Sequence, residues 1–253
     1  MKRIESIKNP LVKQWKKLQT KKERDRSKSF LIEGFHLVEE ALGYQNIISE
    51  LIISEHAEIP SRWQLDDVMV RIVTDEIMKE ISETETTQGI VAVCKQRDVQ
   101  DFQLDKHASK LLLIDAVQDP GNLGTLIRTA EAAGIDAVII GDGTVDVYNS
   151  KVIRSTQGAI FHLPIIKGNL QQWIDKLKEE SIPVYGTALL HAVPYQEVSS
   201  SQVAFGLIVG NEGNGVNKEL LKETTQNLYI PIYGKSESLN VAIAAAILLY
   251  HLR

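Results

Sequence analysis

Three stretches of the chain gather residues whose types and spacing could do chemistry. The first, LLLIDAVQDPGNLGTLIRTAEAAG at residues 111–134, has turn chemistry at Asp119-Pro120-Gly121 and Asn122 where a helix N-cap would stand. Arg128 follows near the middle of that helix, among small residues Ala130, Ala132 and Ala133 that allow close packing. Its guanidinium needs a counter-charge, supplied either by a structural ion pair or by an anionic ligand group. The second, LIVGNEGNGV at residues 207–216, ends a strand in Gly210, Gly213 and Gly215. This is neither the G-x-G-x-x-G dinucleotide spacing nor a Walker A lysine pattern, so the glycines read as room for a ligand or another backbone. Glu212, beside Asn211, could cap the next helix. The third is IPIYGKSESLNVAIAAAI at residues 230–247. Here Ser238 reads as the N-cap of the last helix, a role in which Ser→Ala costs about 1 kcal/mol. Capping leaves unexplained why Asn240 opens a run, Val241 to Tyr250, with no charge at all.

Metal and redox chemistry are not expected. Cys94 is the single cysteine, which excludes a disulfide or a cysteine zinc site within one chain and reads as a packed thiol. Six scattered histidines show no ligand spacing. With 253 residues and 43% hydrophobic content, the chain can bury one large or two modest cores. Its longest apolar run is shorter than the roughly 20 residues of a membrane helix, and no apolar leader follows the charged start, so a cytoplasmic protein without membrane contact is expected.

The net charge of −5 argues against a nucleic-acid partner, but its distribution does not. Residues 1–28 hold eleven Lys or Arg against Glu5, Glu23 and Asp25, an excess of +8, which leaves −13 on the rest. A basic segment on an acidic protein, here Lys8, Lys13, Lys16, Lys17, Lys21, Lys22, Arg24 and Arg26, is the footprint of a phosphate-backbone contact. A solvated helix face is the alternative reading.

These residues need elements to position them. Asn9-Pro10 can open a helix with Leu11, Trp15 and Leu18 inward and Lys13, Lys16 and Lys17 outward. Strands are expected at 30–34, 51–53, 69–73 and 90–93, with helices at 36–42 and near 75–82, making a small α/β sandwich. Residues 94–110 lose periodicity, which places a boundary between a domain at 1–105 and another at 106–253. Beyond it the expectation is strand 111–115, helix 122–133, strand 137–140, helix 149–157, strand 160–163, helix 169–180, strands 183–187 and 204–209, helix 216–223, strand 228–231 and helix 238–252. Apolar strands alternating with helices predict a parallel sheet covered on both faces, with ligands outside the strands' carboxyl ends.

Taken together, Asp119-Pro120-Gly121-Asn122 through Arg128, Val209 to Gly215, and Ile230 to Ala244 resemble the three signature motifs of the SpoU/TrmH family of SPOUT methyltransferases. The first hundred residues look like the L30e-like substrate domain of many rRNA members, through Phe30-Leu31-Ile32-Glu33-Gly34 and Thr86-Thr87-Gln88-Gly89-Ile90, although Thr87 stands where members commonly have proline. The resemblance implies an α/β fold: a parallel-sheet SPOUT domain with a deep C-terminal trefoil knot, preceded by a small L30e-like α/β domain. It also implies an S-adenosyl-L-methionine cofactor and a homodimer formed through the C-terminal domain. By the same resemblance the cofactor is surrounded by Val209, Gly210, Asn211, Gly213, Ile230, Ile232, Ser238 and Leu239, largely through main-chain groups.

The implied reaction is 2′-O-methylation of RNA ribose, with 23S rRNA as the substrate and tRNA as the alternative. A sulfonium methyl group is already activated, so the residues must align the ribose oxygen and help it lose a proton, without a metal. The resemblance gives Arg128 the central catalytic role, with Asn122, Glu212, Ser238 and Asn240 shaping the site. A guanidinium keeps its proton far above neutral pH and is a poor base, so Arg128 is expected to hold a phosphate or ribose oxygen. Two other classes compete. A noncatalytic RNA-binding protein on this fold is opposed by the intact site residues, and a dinucleotide-dependent oxidoreductase by the absent glycine fingerprint.

Overall fold

The computed structural model describes every residue except Met1, Asp98, Gln100, Asp101 and Lys106. The boundary expected between 105 and 106 touches Lys106 and so lies outside the described residues. The chain divides into two compact units, one of Met1–Asp98 with Asp146–Phe161, the other of Val99–Val145 with His162–Arg253. Among the described residues no helix is long and apolar enough to cross a membrane.

The first unit begins with β1 (Lys2–Ile4), α1 (Pro10–Lys17), α2 (Lys21–Ser27), β2 (Ser29–Glu33) and α3 (Phe35–Leu42). β3 (Ile48–Ser54), β4 (Met69–Val73), α4 (Asp75–Ile81) and β5 (Ile90–Lys95) complete a five-stranded sheet of order β1-β4-β3-β5-β2. The β1–β4 and β4–β3 pairs are parallel, and β5 runs antiparallel to both β3 and β2. Asn9 caps α1 by accepting from the Leu11 N–H, with Pro10 at the first helical position where its missing N–H costs nothing. Val12, Trp15 and Leu18 then pack with Ile52, Val73, Ile77 and Met78.

Arg24 departs from its expected place on an RNA-facing surface. It is buried, it donates to the Leu18 and Gln19 carbonyls at 2.9 and 2.7 Å, and it pairs with buried Asp146 at 2.7 Å. Its charge is consumed in holding α2 to the segment 146–161, because a guanidinium in a dry interior requires full pairing.

The second unit opens with β6 (Lys110–Ile114), α5 (Pro120–Ala132) and β7 (Ala137–Ile140). The chain then returns to the first unit over Asp146–Phe161, forming α6 (Ser150–Thr156) and most of α7 (Ala159–His162), where a strand is expected at 160–163. A short apolar run does not distinguish strand from helix, and here Gln157 and Gly158 take positive φ, turning the chain so that Ala159, Ile160 and Phe161 are all buried. The strand comes later, as β8 (Ile165–Lys167) on β7. α8 (Leu170–Glu179), β9 (Val184–Thr187), β10 (Val193–Pro194), β11 (Phe205–Val209), α9 (Lys218–Lys222), β12 (Gln226–Tyr229) and α10 (Val241–Leu252) follow. Their seven strands form one sheet, β10-β12-β9-β11-β6-β7-β8, parallel throughout. Its central strands are apolar on both faces because Leu170, Trp173, Ile174 and Leu177 of α8 cover one side and α5 and α10 pack elsewhere in the unit.

Candidate active site

β6 and β11 are parallel neighbours in register, Ile114 opposite Val209, so the first two motif loops leave the sheet at the same edge. The Asp115 N–H donates to the Val209 carbonyl at 2.9 Å, which continues the pairing one residue past the strand. The loop after β11 folds on Asn211. Its side-chain oxygen accepts from the N–H groups of Gly213 and Asn214 at 2.9 and 3.0 Å, and its amide donates to the Ala116 carbonyl at 2.9 Å. A Cβ on Gly210 would lie 2.2 Å from the Gly215 carbonyl carbon and the Val216 nitrogen, so the loop closes only around glycine there. Ala116, with φ of +55°, is held in the left-handed region, which costs an L-residue roughly 1–2 kcal/mol. The Asn211 amide on its carbonyl is part of what holds it there.

Glu212 does not cap the helix after it; Asn217 does, accepting from the Glu219 N–H at 2.9 Å. The Glu212 carboxylate instead crosses to the first motif, accepting from the Gln118 and Asp119 N–H groups at 3.1 and 3.0 Å and from the Asn122 amide at 2.9 Å. Partial burial pushes its pKa up, but the Asn122 amide and the two N–H donors outweigh burial and hold it below the ordinary carboxylate range.

The N-cap of α5 is Asp119, not Asn122: it accepts from the Asn122 N–H at 2.8 Å, and Pro120 takes the first helical position. Asn122 is thereby freed to bridge. It donates to Glu212 and accepts, at 2.8 Å, the side-chain amide of Asn240. Asn240, not Ser238, caps α10. Its side-chain oxygen accepts from the Ala242 and Ile243 N–H groups at 2.9 and 3.3 Å, and the helix begins at Val241, beyond the reach of a serine three residues earlier.

Glu212, Asn122 and Asn240 thus form one hydrogen-bonded chain joining all three motif segments. Arg128 and Ser238 are not drawn into it. Arg128 faces outward on α5 and, among the described residues, makes no hydrogen bond or ion pair, so it is not held by a structural counter-ion. Ser238 and Leu239 are exposed in the loop before α10, Val209 is buried, and Ile230 and Ile232 are half-buried. Between Ile230 and Leu239 the main-chain N–H and C=O groups find no hydrogen-bond partner among the described residues. Those of Ile230 to Ile232 are half-buried and call for a ligand or water, whereas those from Tyr233 to Leu239 are exposed. Sequence reasoning missed Gln118 and the capping role of Asp119; the order Asp-Pro was the available signal for the cap.

Of the basic residues, Lys8, Lys13, Lys17 and Lys22 are exposed and make no ion pair among the described residues. Lys16 pairs with Glu80, Lys21 with Asp25 at 2.6 Å, and Arg26 with Glu23 at 2.5 Å. Lys13, Lys17 and Arg26 line one groove with Pro10, Gln14 and Glu23.

Residues 109–250 match the model of the SpoU rRNA methylase family, and residues 9–92 match that of the MRM3-like substrate-binding domain. The chain is 53% identical, over the full length of both proteins, to the 23S rRNA (guanosine(2553)-2′-O)-methyltransferase RlmP of Bacillus subtilis. It superposes with a TM-score of 0.90, at 32% identity and covering 100% of this chain and 97% of the other, on an AdoMet-bound rRNA methyltransferase from Sinorhizobium meliloti. The AdoMet complex of the SpoU methyltransferase AviRb from Streptomyces viridochromogenes shares the fold, with a TM-score of 0.85 at 24% identity and 97% coverage of each chain. Matched along its second half by the family model and throughout by a homologue of that family, the chain belongs to the SpoU rRNA methylase family.

Proposed function

We propose that the protein transfers a methyl group from S-adenosyl-L-methionine to the ribose 2′-hydroxyl of guanosine 2553 in 23S rRNA. The observation that carries this reading is the Glu212–Asn122–Asn240 chain, which ties the three motif loops together at the carboxyl ends of parallel strands. Full-length likeness to the Bacillus subtilis enzyme supports the choice of nucleotide.

The cofactor fits the residues present. The open main-chain groups from Ile230 to Leu239, with Val209, Gly210, Asn211, Gly213 and Ser238, would hold it, and Gly213 and Gly234 place no side chain in the way. When bound, it supplies a sulfonium methyl group that needs alignment and no metal. Asn122 and Asn240 hold the loops in register, and the Glu212 carboxylate fixes the Gln118–Asp119 turn. The exposed Arg128 guanidinium is a donor that would hold the ribose oxygen or the adjoining phosphate while the hydroxyl proton passes to solvent water.

In the same reading, residues 1–105 form an L30e-like domain that grips RNA through Lys8, Lys13, Lys17 and Lys22, with Lys16, Lys21 and Arg26 at its margin. Residues 106–253 carry catalysis, with the trefoil knot of the family's catalytic domain. The protein works in the cytoplasm as a homodimer. Ile243 and Tyr250 support a dimer contact, since both are exposed on α10, with half-buried Ile247 between them on the same face.

The reading is tested by nucleoside mass spectrometry with site mapping of rRNA and tRNA from cells lacking the gene. One 2′-O-methylguanosine of 23S rRNA should vanish, and should return with the wild-type gene but not with Arg128→Ala, whose cofactor binding stays intact. Loss of a tRNA or base methylation instead would overturn the assignment.

A further inference from the structure

Three tyrosines are conspicuously exposed, and two of them have partners. Tyr44 lies under the Arg97 guanidinium, and Tyr250 donates its hydroxyl to the Ala132 carbonyl at 3.3 Å beside the Arg253 guanidinium. Tyr233, at 92% relative exposure the most exposed large apolar side chain, has no ring contact and no hydrogen bond among the described residues. An aromatic ring held wholly in water gains nothing for the fold, since burying it would be favourable by about 2 kcal/mol. Its position is informative. It follows the half-buried Ile232 and precedes Gly234, where an added Cβ would meet nothing within 4 Å, in the same segment that Asn240 anchors to Asn122. Lys235, two residues on, is also exposed.

RNA bases that leave their stack are read by stacking on aromatic side chains, with nearby cations taking the backbone. A ribose 2′-hydroxyl can be aligned for attack only if its nucleotide is held apart from its neighbours. We propose that Tyr233 is a positioning and specificity-determining residue: its ring stacks on the base of the nucleotide whose ribose is methylated, and Lys235 takes a flanking phosphate. This rests on the RNA methyltransferase reading above. Guanine, with the larger π-face, is held better than a pyrimidine.

The test is a double cycle on the full-length protein with synthetic RNA spanning guanosine 2553, either intact or with an abasic ribose that keeps the 2′-hydroxyl at that position. Tyr233→Ala should raise KM for intact RNA about tenfold, the loss of one base–aromatic stack, and leave the Kd for S-adenosyl-L-methionine within about twofold. The abasic substitution should cost the wild type a similar factor and Tyr233→Ala little more, because both remove one contact. Tyr233→Trp and Tyr233→Phe should restore KM. Additive losses, an unchanged KM, or a Tyr233→Ala effect confined to oligomeric state in light scattering would each overturn the stacking role. Wild-type protein that leaves the intact RNA unmethylated would overturn the parent reading as well, and so separates the two failures.

Discussion

At Glu212 two opposed effects meet, and the geometry shows which wins. Burial disfavours its charge, but an amide and two main-chain N–H groups point at the carboxylate, and charge-assisted hydrogen bonds exceed the cost of a site still reached by water. A carboxyl whose pKa is depressed by folding adds stability at neutral pH, and that contribution disappears as pH falls through the folded value. Glu212→Gln keeps one acceptor oxygen in place but loses the charge, so it should cost about 1 kcal/mol at pH 7. The difference in Tm between variant and wild type should close as pH falls below the ordinary carboxylate range and through the depressed pKa of Glu212. A difference that stays constant from pH 7 to pH 3 would show that the charge plays no part. That the loops carrying Asn122 and Glu212 meet was legible in the sequence because the spacing within the motifs is irregular and long. That Glu212 reads the Gln118–Asp119 backbone was not legible, because main-chain donors have no residue type to betray them.

At the scale of elements, the parallel sheet was legible because strands apolar on both faces leave an unbroken hydrophobic run, as at Leu111–Ile114 and Phe205–Val209. Helix starts were harder. Both α5 and α10 offer two capping residues three or fewer positions apart, and capping preference alone does not choose between Asp119 and Asn122 or between Ser238 and Asn240. The choice was made by tertiary contacts: Asn122 and Asn240 bond to each other, which fixes the entry of α10 beside α5. Cap and bridge are therefore separable in one residue. Asn240→Ser retains a capping oxygen but cannot reach Asn122, so stability should change by a few tenths of a kcal/mol while kcat/KM for RNA methylation falls at least tenfold. Asn240→Ala should lose both, with about 1 kcal/mol of stability. Ser238→Ala, outside the cap, should leave Tm unchanged. Equal activity in Asn240→Ser and wild type, read alongside thermal unfolding, would reduce the Asn240–Asn122 bond to a bystander.

Charge is arranged on the scale of the whole molecule, and its lesson is that a basic run is not a uniform surface. The sequence placed eight cations in one RNA-facing set. Arg24 is instead a structural ion with Asp146, which draws Asp146–Phe161 into the first unit although its sequence lies within the stretch matched by the methylase family model. Helical spacing shows which side of a helix is polar, but it cannot reveal a partner 122 residues away. Lys8, Lys13, Lys17 and Lys22 remain as exposed cations with no counter-ion among the described residues, and in the proposed RNA contact they are the ones that would displace counterions. Each phosphate contact steepens the dependence of log K on log salt by about 0.7 to 0.9. Replacing these four by Gln should therefore flatten the slope by about 3 and weaken RNA binding at low salt, with Tm nearly unchanged because exposed unpaired lysines add little to stability. Arg24→Ala should behave in the opposite way. It removes the guanidinium paired with Asp146 and the donor on the Leu18 and Gln19 carbonyls, costing about 3 kcal/mol of stability, while the protein that remains folded keeps its salt slope. Filter binding across a salt series, paired with thermal unfolding of both variants, reads the two effects separately. A slope that stays unchanged in the four-lysine variant would return that face to solvent, and a slope lowered by Arg24→Ala at full folded fraction would mean that its guanidinium reaches RNA after all.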